Sequence, residues 1–167
     1  NDIRGGFGGI GFLTDEQFAV TSLPLGIPKA GLSNDLDALA SYVTSLQSFS
    51  RNPNRESEIT LSEEAQEGKA IYESLNCTTC HTGDNLTDGQ RHILYTLVPG
   101  SGEGMGQPLN TLGIETPTLK GLWNTAPYFH HGQAKTLADV LKVDDHGNAQ
   151  LLPADQLNAL TKYLLSL

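Results

Sequence analysis

Three residues have types and spacing that promise chemistry: Cys77, Cys80 and His81, in the run Cys77-Thr78-Thr79-Cys80-His81. C-x-x-C-H is the attachment motif for haem c. Two thiols about one helical turn apart can each form a thioether to a porphyrin edge. The histidine that follows then lies beneath the iron as its proximal ligand. Competing chemistries ask for more. A zinc site needs about two further Cys or His at close spacing, and the chain has no second C-x-x-C. A thioredoxin-like redox pair needs a βαβ setting that the pattern does not offer. These are also the only two cysteines, and they stand too close together to staple a fold, so they read as chemistry.

Helices must hold this motif in place. Thr60 with Glu63 reads as a capping box opening a helix that runs to about Leu75 and delivers the chain into Cys77. A final helix is predicted from Pro153, with Leu157, Leu160, Leu164 and Leu167 on one side. Thr136 with Asp139 caps a short helix between them, and Ser33 opens an earlier one with Leu36, Leu39, Val43 and Leu46 as its apolar stripe. A helical turn is expected at Asp15–Val20, in an otherwise Gly- and Pro-punctuated opening segment. Residues 82–134 read as an irregular excursion rich in Gly and Pro, and no strand of any length is expected. The predicted fold is all-α with long loops. It divides into a segment 1–55, ending in a Pro53-bearing linker, and a haem domain 56–167.

Composition narrows the rest. The 167 residues carry 19 acidic and 10 basic side chains, a net charge of −9, which argues against nucleic acid because its phosphates demand a basic face. No stretch approaches the roughly 20 apolar residues that span a bilayer. No basic, apolar leader opens the sequence, so an export signal is expected to have been removed already. One internal similarity stands out. Residues 35–46 align with 156–167, so that Leu36, Leu39, Tyr42 and Leu46 fall on Leu157, Leu160, Tyr163 and Leu167. Any amphipathic helix rich in Leu and Ala could align this way; alternatively, residues 1–50 are the tail of a preceding, degenerate cytochrome domain, and the chain belongs to a longer modular protein.

The flanks of the motif bring a family into view. Gly68 and Tyr72 precede it, and Leu160 and Tyr163 lie on the last helix. This resembles class I c-type cytochromes, in which a Gly/aromatic pair on the first helix crosses a Leu/aromatic pair on the last. A narrower resemblance rests on T-P-T-L-K-G-L-W-N-T-A-P-Y-F-H-H-G-Q-A-K-T-L-A-D-V-L, residues 116–141. This is similar to the carboxy-terminal domain of the di-haem cytochrome c peroxidase and MauG-like family, with His131 where that family has Asp and one haem motif where it has two. The resemblance implies a class I cytochrome c-like helical domain around one covalent haem c.

The sixth iron ligand is open among several donors. Where the family has Met-Gly after the T-L helix, this chain has His146-Gly147, which favours bis-His ligation by His81 and His146. Met105, the only methionine, is the alternative, and His130 or His131 ranks third, one of them more naturally bonding a haem propionate or backbone. Arg91, His92, Tyr95 and Trp123 are candidates for propionate contacts, and the Pro99 carbonyl for the second ring nitrogen of His81. These features lead to the expectation of an electron-transfer domain with no bond-making chemistry of its own. It would pass single electrons to a redox partner with a basic docking face, and it would lie in the periplasm or at the cell surface, where haem c is attached in bacteria. The alternative is a peroxidase or MauG-like oxidase module with an open distal site, working with a second haem.

Overall fold

The computed structural model describes residues 30–46, 50–57, 60–94, 96–101, 108–144 and 146–167. The helical turn expected at Asp15–Val20, Tyr95 and Met105 lie outside these residues. The chain forms two compact units, one up to Ser50 and one from Arg51 to Leu167.

The first unit contributes helix α1, Asn34–Ser45. Ser33 caps it as expected, its Oγ accepting from the Leu36 N–H at 3.4 Å, while the Asp37 carboxylate accepts from the Gly31 N–H at 2.9 Å. Of its stripe residues, Leu39, Val43 and Leu46 are exposed and Leu36 is half-buried; Tyr42 beside them is exposed as well.

The second unit is helical, with α2 (Glu63–Ser74), α3 (Leu109–Leu112), α4 (Leu137–Leu141) and α5 (Ala154–Leu165). Helix α2 starts two residues later than the sequence suggests. Ser62 rather than Thr60 caps it, accepting from the Ala65 N–H, because the Thr60 side chain is engaged by the Ser57 hydroxyl. Asp139 and Thr136 do form the capping box of α4. The expectation of no strand is corrected on a small scale. Arg91–His92 (β1) pairs antiparallel with Ile114–Glu115 (β2), His92 opposite Ile114. Two-residue strands are too short to leave any period in a sequence, and this pair rests on Gly113, whose added Cβ would stand 2.8 Å from the His92 carbonyl.

The core forms where α2 crosses α5. Tyr72, Leu160, Tyr163 and Leu164 are buried together with Leu119, Leu137, Leu141 and Ala149. The crossing is close because position 68 has no side chain: a Cβ there would collide with the Ala159 carbonyl oxygen. The Tyr72 and Tyr163 rings pack beside it with centroids 5.3 Å apart at 60°, a tilted geometry favoured by the ring quadrupoles. The segment read as a linker does structural work. Asn52 Nδ2 and Arg55 Nε donate to the Leu165 and Ser166 carbonyls at 2.8 Å each, and the Gly121 N–H donates to the Leu167 carbonyl at 3.2 Å. These bonds satisfy carbonyls that the end of a helix leaves without partners.

The Gly68 contact yields a direct expectation. Neither helix can yield to a methyl group without opening the crossing, so Gly68→Ala should cost ~3 kcal/mol of stability. Denaturant unfolding of the haem-loaded protein measures this; an unchanged midpoint would show that the helices do not meet there.

Candidate haem site

The C-x-x-C-H run follows directly from α2. Asn76, in the left-handed region at φ 58°, breaks the helix and turns Cys77–Thr79 into a single tight 3-10 turn. His81 N–H donates to the Cys77 carbonyl at 3.0 Å, closing the loop. Both thiols are half-buried. The Tyr72 hydroxyl donates to the His81 carbonyl at 2.6 Å, so the residue that seals the helix crossing also holds the motif. Burial raises the Tyr72 phenol well above its ordinary range, which keeps it a donor.

The His81 ring is oriented by its Nδ1, which lies 3.3 Å from the Leu86 carbonyl. This carbonyl stands where the Pro99 carbonyl was expected from sequence, and the Pro117 carbonyl also favours the protonated ring. Their placement follows from the way two loops are tied together: Thr118 Oγ1 donates to the Asn85 carbonyl at 2.6 Å and Thr87 Oγ1 to the Thr116 carbonyl at 2.5 Å. With Nδ1 donating, Nε2 of His81 carries the lone pair. Burial, and after it the neighbouring His146, pushes the ring below the usual histidine range and keeps it neutral.

His146 is brought to the same place. Its ring centroid stands 6.4 Å from that of His81, at 66°. Its Nδ1 is buried without a hydrogen-bond partner. The Val140 carbonyl faces the ring without completing a bond, and burial is the larger effect, holding the imidazole below its ordinary range. Phe129, at φ 64°, covers it from 5.9 Å. Gly147 brings the backbone past Cys77, its added Cβ 3.7 Å from the thiol sulfur. The fit to a haem can be tested on these numbers. An iron held by two imidazole nitrogens at about 2 Å each, with each nitrogen about 1.1 Å from its ring centre, needs ring centres roughly 6.2 Å apart. Two neutral, half-buried imidazoles at 6.4 Å beside a paired-thiol turn meet that requirement.

The remaining candidates scatter. His92 bonds Asp88 through Nε2 at 2.8 Å. With Cys80 these two residues form a group of potential ligands within 4.8 Å of one another, a juxtaposition that sequence spacing did not suggest because the 87–92 turn creates it. The Gln90 N–H and His92 hold the Asp88 carboxyl down to about 2. Arg91 is exposed on β1, and Trp123 is half-buried in the turn Leu122–Asn124. His130 and His131 pair with each other rather than with His146.

Comparison with known proteins supplies the class. Residues 113–148 match a family described as RoxA-like, cytochrome c-like. The chain is 30% identical to the hydrazine synthase subunit gamma of Kuenenia stuttgartiensis, over 79% of this chain and 48% of that one. It is 27% identical to the cytochrome c551 peroxidase of Pseudomonas aeruginosa, over 84% of this chain and 46% of that one. With MauG of Methylophilus methylotrophus the figures are 28%, 65% and 34%. A solved structure of the Kuenenia stuttgartiensis hydrazine synthase under xenon superimposes with a TM-score of 0.61 at 25% identity, over 79% of this chain and 55% of that one. The chain is a c-type cytochrome, and the fold implies covalently bound haem c. Within that class its likeness is to the MauG- and peroxidase-like proteins. It spans about half the length or less of the curated relatives it matches. These matches overturn one expectation. A synthase subunit and a peroxidase stand among the relatives, so the non-enzyme reading is corrected to membership of an enzyme family. The motif specified how an iron is held and said nothing of what reaches it.

Two outcomes follow from the geometry. Tyr72→Phe keeps the ring but leaves the His81 carbonyl without its donor, and should cost roughly 1–3 kcal/mol in denaturant unfolding. Asp88 has a folded pKa depressed from 3.8 to about 2. Its support for the 87–92 turn is therefore complete above the unfolded value and is lost as pH falls through the folded one. Asp88→Asn should flatten the acid limb of the stability curve between about pH 4 and pH 2; an unchanged limb would mean the clasp contributes nothing.

Proposed function

We propose that this chain is the haem-bearing portion of a haem-dependent oxidoreductase, in which one haem c held between His81 and His146 relays single electrons to a second redox centre of the same enzyme or to a docked partner. The observation that carries the reading is the 6.4 Å separation of the two half-buried imidazoles, one oriented through its Nδ1 and the other with a buried ring nitrogen lacking any partner. Bound haem supplies a one-electron iron couple.

The chain's own residues set the conditions. Cys77 and Cys80 anchor the porphyrin edge. The Leu86 carbonyl takes the Nδ1 proton of His81, which fixes the tautomer and raises the basicity of Nε2. Burial keeps His146 neutral, so its lone pair is available at ordinary pH. Two imidazoles give a lower potential than imidazole with a thioether, which suits a donor of electrons. A net charge of −9 favours a basic docking face on the partner. The first unit reads as the tail of a related preceding domain: Leu39 and Tyr42 of α1 occupy the repeat positions of Leu160 and Tyr163, yet are exposed where those are buried. Covalent attachment of haem c supports a location outside the cytoplasm, in the periplasm or at the cell surface.

His146→Ala should convert the oxidised iron from low-spin to high-spin, as seen by electron paramagnetic resonance, while Met105→Leu should leave it low-spin. The opposite pattern would transfer the distal position to Met105 and remove the bis-His reading.

A further inference from the structure

His92 and Asp88 lie outside the haem ligand set and close to the haem anchor. A ring nitrogen of His92, a carboxylate oxygen of Asp88 and the Cys80 sulfur all stand within 4.8 Å of one another. The three have metal-ligand types, but a sulfur committed to a thioether has no thiolate to offer a second metal. Thioethers and propionates occupy opposite edges of a porphyrin. A group beside Cys80 therefore stands at the anchored edge, away from the propionates that His92 was expected to contact.

The pair can hold one proton more or less. Nε2 of His92 lies 2.8 Å from Asp88 Oδ2. An ionised carboxylate only accepts, so Nε2–H donates, and Nδ1 is the nitrogen that gains or loses a proton. The Gln90 N–H, at 2.9 Å, and His92 hold the Asp88 carboxyl down to about 2. Its charge is thus fixed, and that of His92 is the variable one. With its side chain 38% exposed, His92 can exchange protons with water. The nearest other charges on this ribbon face away. Arg91 and Glu115, opposite each other in the β1–β2 register, project from the other face because side chains alternate. Ile114, across from His92, and Gly113 beside it carry no charge. The Asp88 carboxylate also acts on the His81 ring, so the pair is within electrostatic reach of the proximal ligand.

We propose that His92, clasped by Asp88 beside the Cys80 anchor, is the proton partner of the haem electron, taking up a proton on reduction and returning it on oxidation. The inference rests on the single-electron role proposed above. One electron from the redox partner turns ferric iron to ferrous, and one proton from solvent goes to Nδ1 of His92; both leave when the next acceptor oxidises the iron. At an effective dielectric of about 20, a unit charge changes a proton affinity tenfold from roughly 12 Å away. His92 should therefore hold its proton about tenfold more tightly in the reduced protein. Linkage is reciprocal, so protonated His92 favours the reduced iron. The chain becomes a stronger electron donor as pH rises.

The test is the reduction potential of the haem-loaded protein, followed spectroelectrochemically between about pH 5 and pH 9, which spans the range where histidine exchanges its proton. The wild-type potential should fall with rising pH by about 59 mV in all, the equivalent of a tenfold change for a one-electron couple. His92→Gln keeps a donor for Asp88 and should give a flat line at the alkaline wild-type value. Asp88→Asn should keep the fall but move it to lower pH, because the protonated ring loses its counter-charge. His130, which the Ser101 hydroxyl engages at 2.9 Å, and His131 serve as controls; replacing both by Ala should leave the fall unchanged. In the wild type alone, electrochemical reduction in weakly buffered solution should take up a fraction of a proton per electron at pH 7 and almost none at pH 9. A potential independent of pH, a fall that persists in His92→Gln, or no proton uptake at pH 7 would each overturn the assignment. A high-spin oxidised spectrum, or one with a sulfur-to-iron band, would instead remove the bis-His reading and leave this one standing, since the pair senses the electron whichever group fills the distal position.

Discussion

The structure depends on the approach of α2 to α5 at Gly68. A single missing side chain lets two helix backbones come within a distance that any Cβ would forbid, and everything the site needs is referred to that crossing. Tyr72, one turn along from Gly68, seals the join against Tyr163 and reaches onward with its hydroxyl to the His81 carbonyl. The same side chain is thus part of the core and part of the site. Moving α5 moves Tyr72, and moving Tyr72 moves the turn that presents both cysteines and the proximal histidine.

A second layer of constraint faces the first. The loops 85–87 and 116–118 are bound to each other by threonine hydroxyls, and so present the Leu86 carbonyl to Nδ1 of the His81 ring. His146 comes from the other direction, on the segment between α4 and α5, with Gly147 allowing the backbone to pass Cys77. The two imidazoles are therefore held by independent parts of the chain that share only the core beneath them. Burial keeps both neutral, the state in which an imidazole can ligate a metal at all.

Much of this was legible in the sequence, for reasons that particular residues make clear. Cys77, Cys80 and His81 are contiguous, so local spacing carries the whole signal. Helices α1, α4 and α5 follow from apolar periodicity and caps, each a matter of a few neighbouring positions. Gly68 and Tyr72 were readable only through resemblance, since nothing in their own spacing says that α5 lies across them. What escaped was set by tertiary contact. The capping role passed from Thr60 to Ser62 because Ser57 engages Thr60. The partner of His81 Nδ1 came from Leu86 because hydroxyl bonds 29 and 33 residues apart in sequence tie together the loops around it. The pairing of His130 with His131 and Ser101, and of His92 with Asp88, likewise belongs to loop geometry. The inference that failed outright was functional. An attachment motif describes how iron is gripped and is silent about chemistry at the open face or elsewhere in a longer enzyme.

The central claim is that His81 and His146 occupy the two axial positions of one haem. The most direct test is the optical and near-infrared spectrum of the oxidised wild-type protein at neutral pH. Bis-imidazole ligation gives a low-spin spectrum with no far-red sulfur-to-iron band. A low-spin spectrum that contains that band would place the Met105 sulfur on the iron, and a high-spin spectrum would mean that the distal position is open; either result would contradict the account.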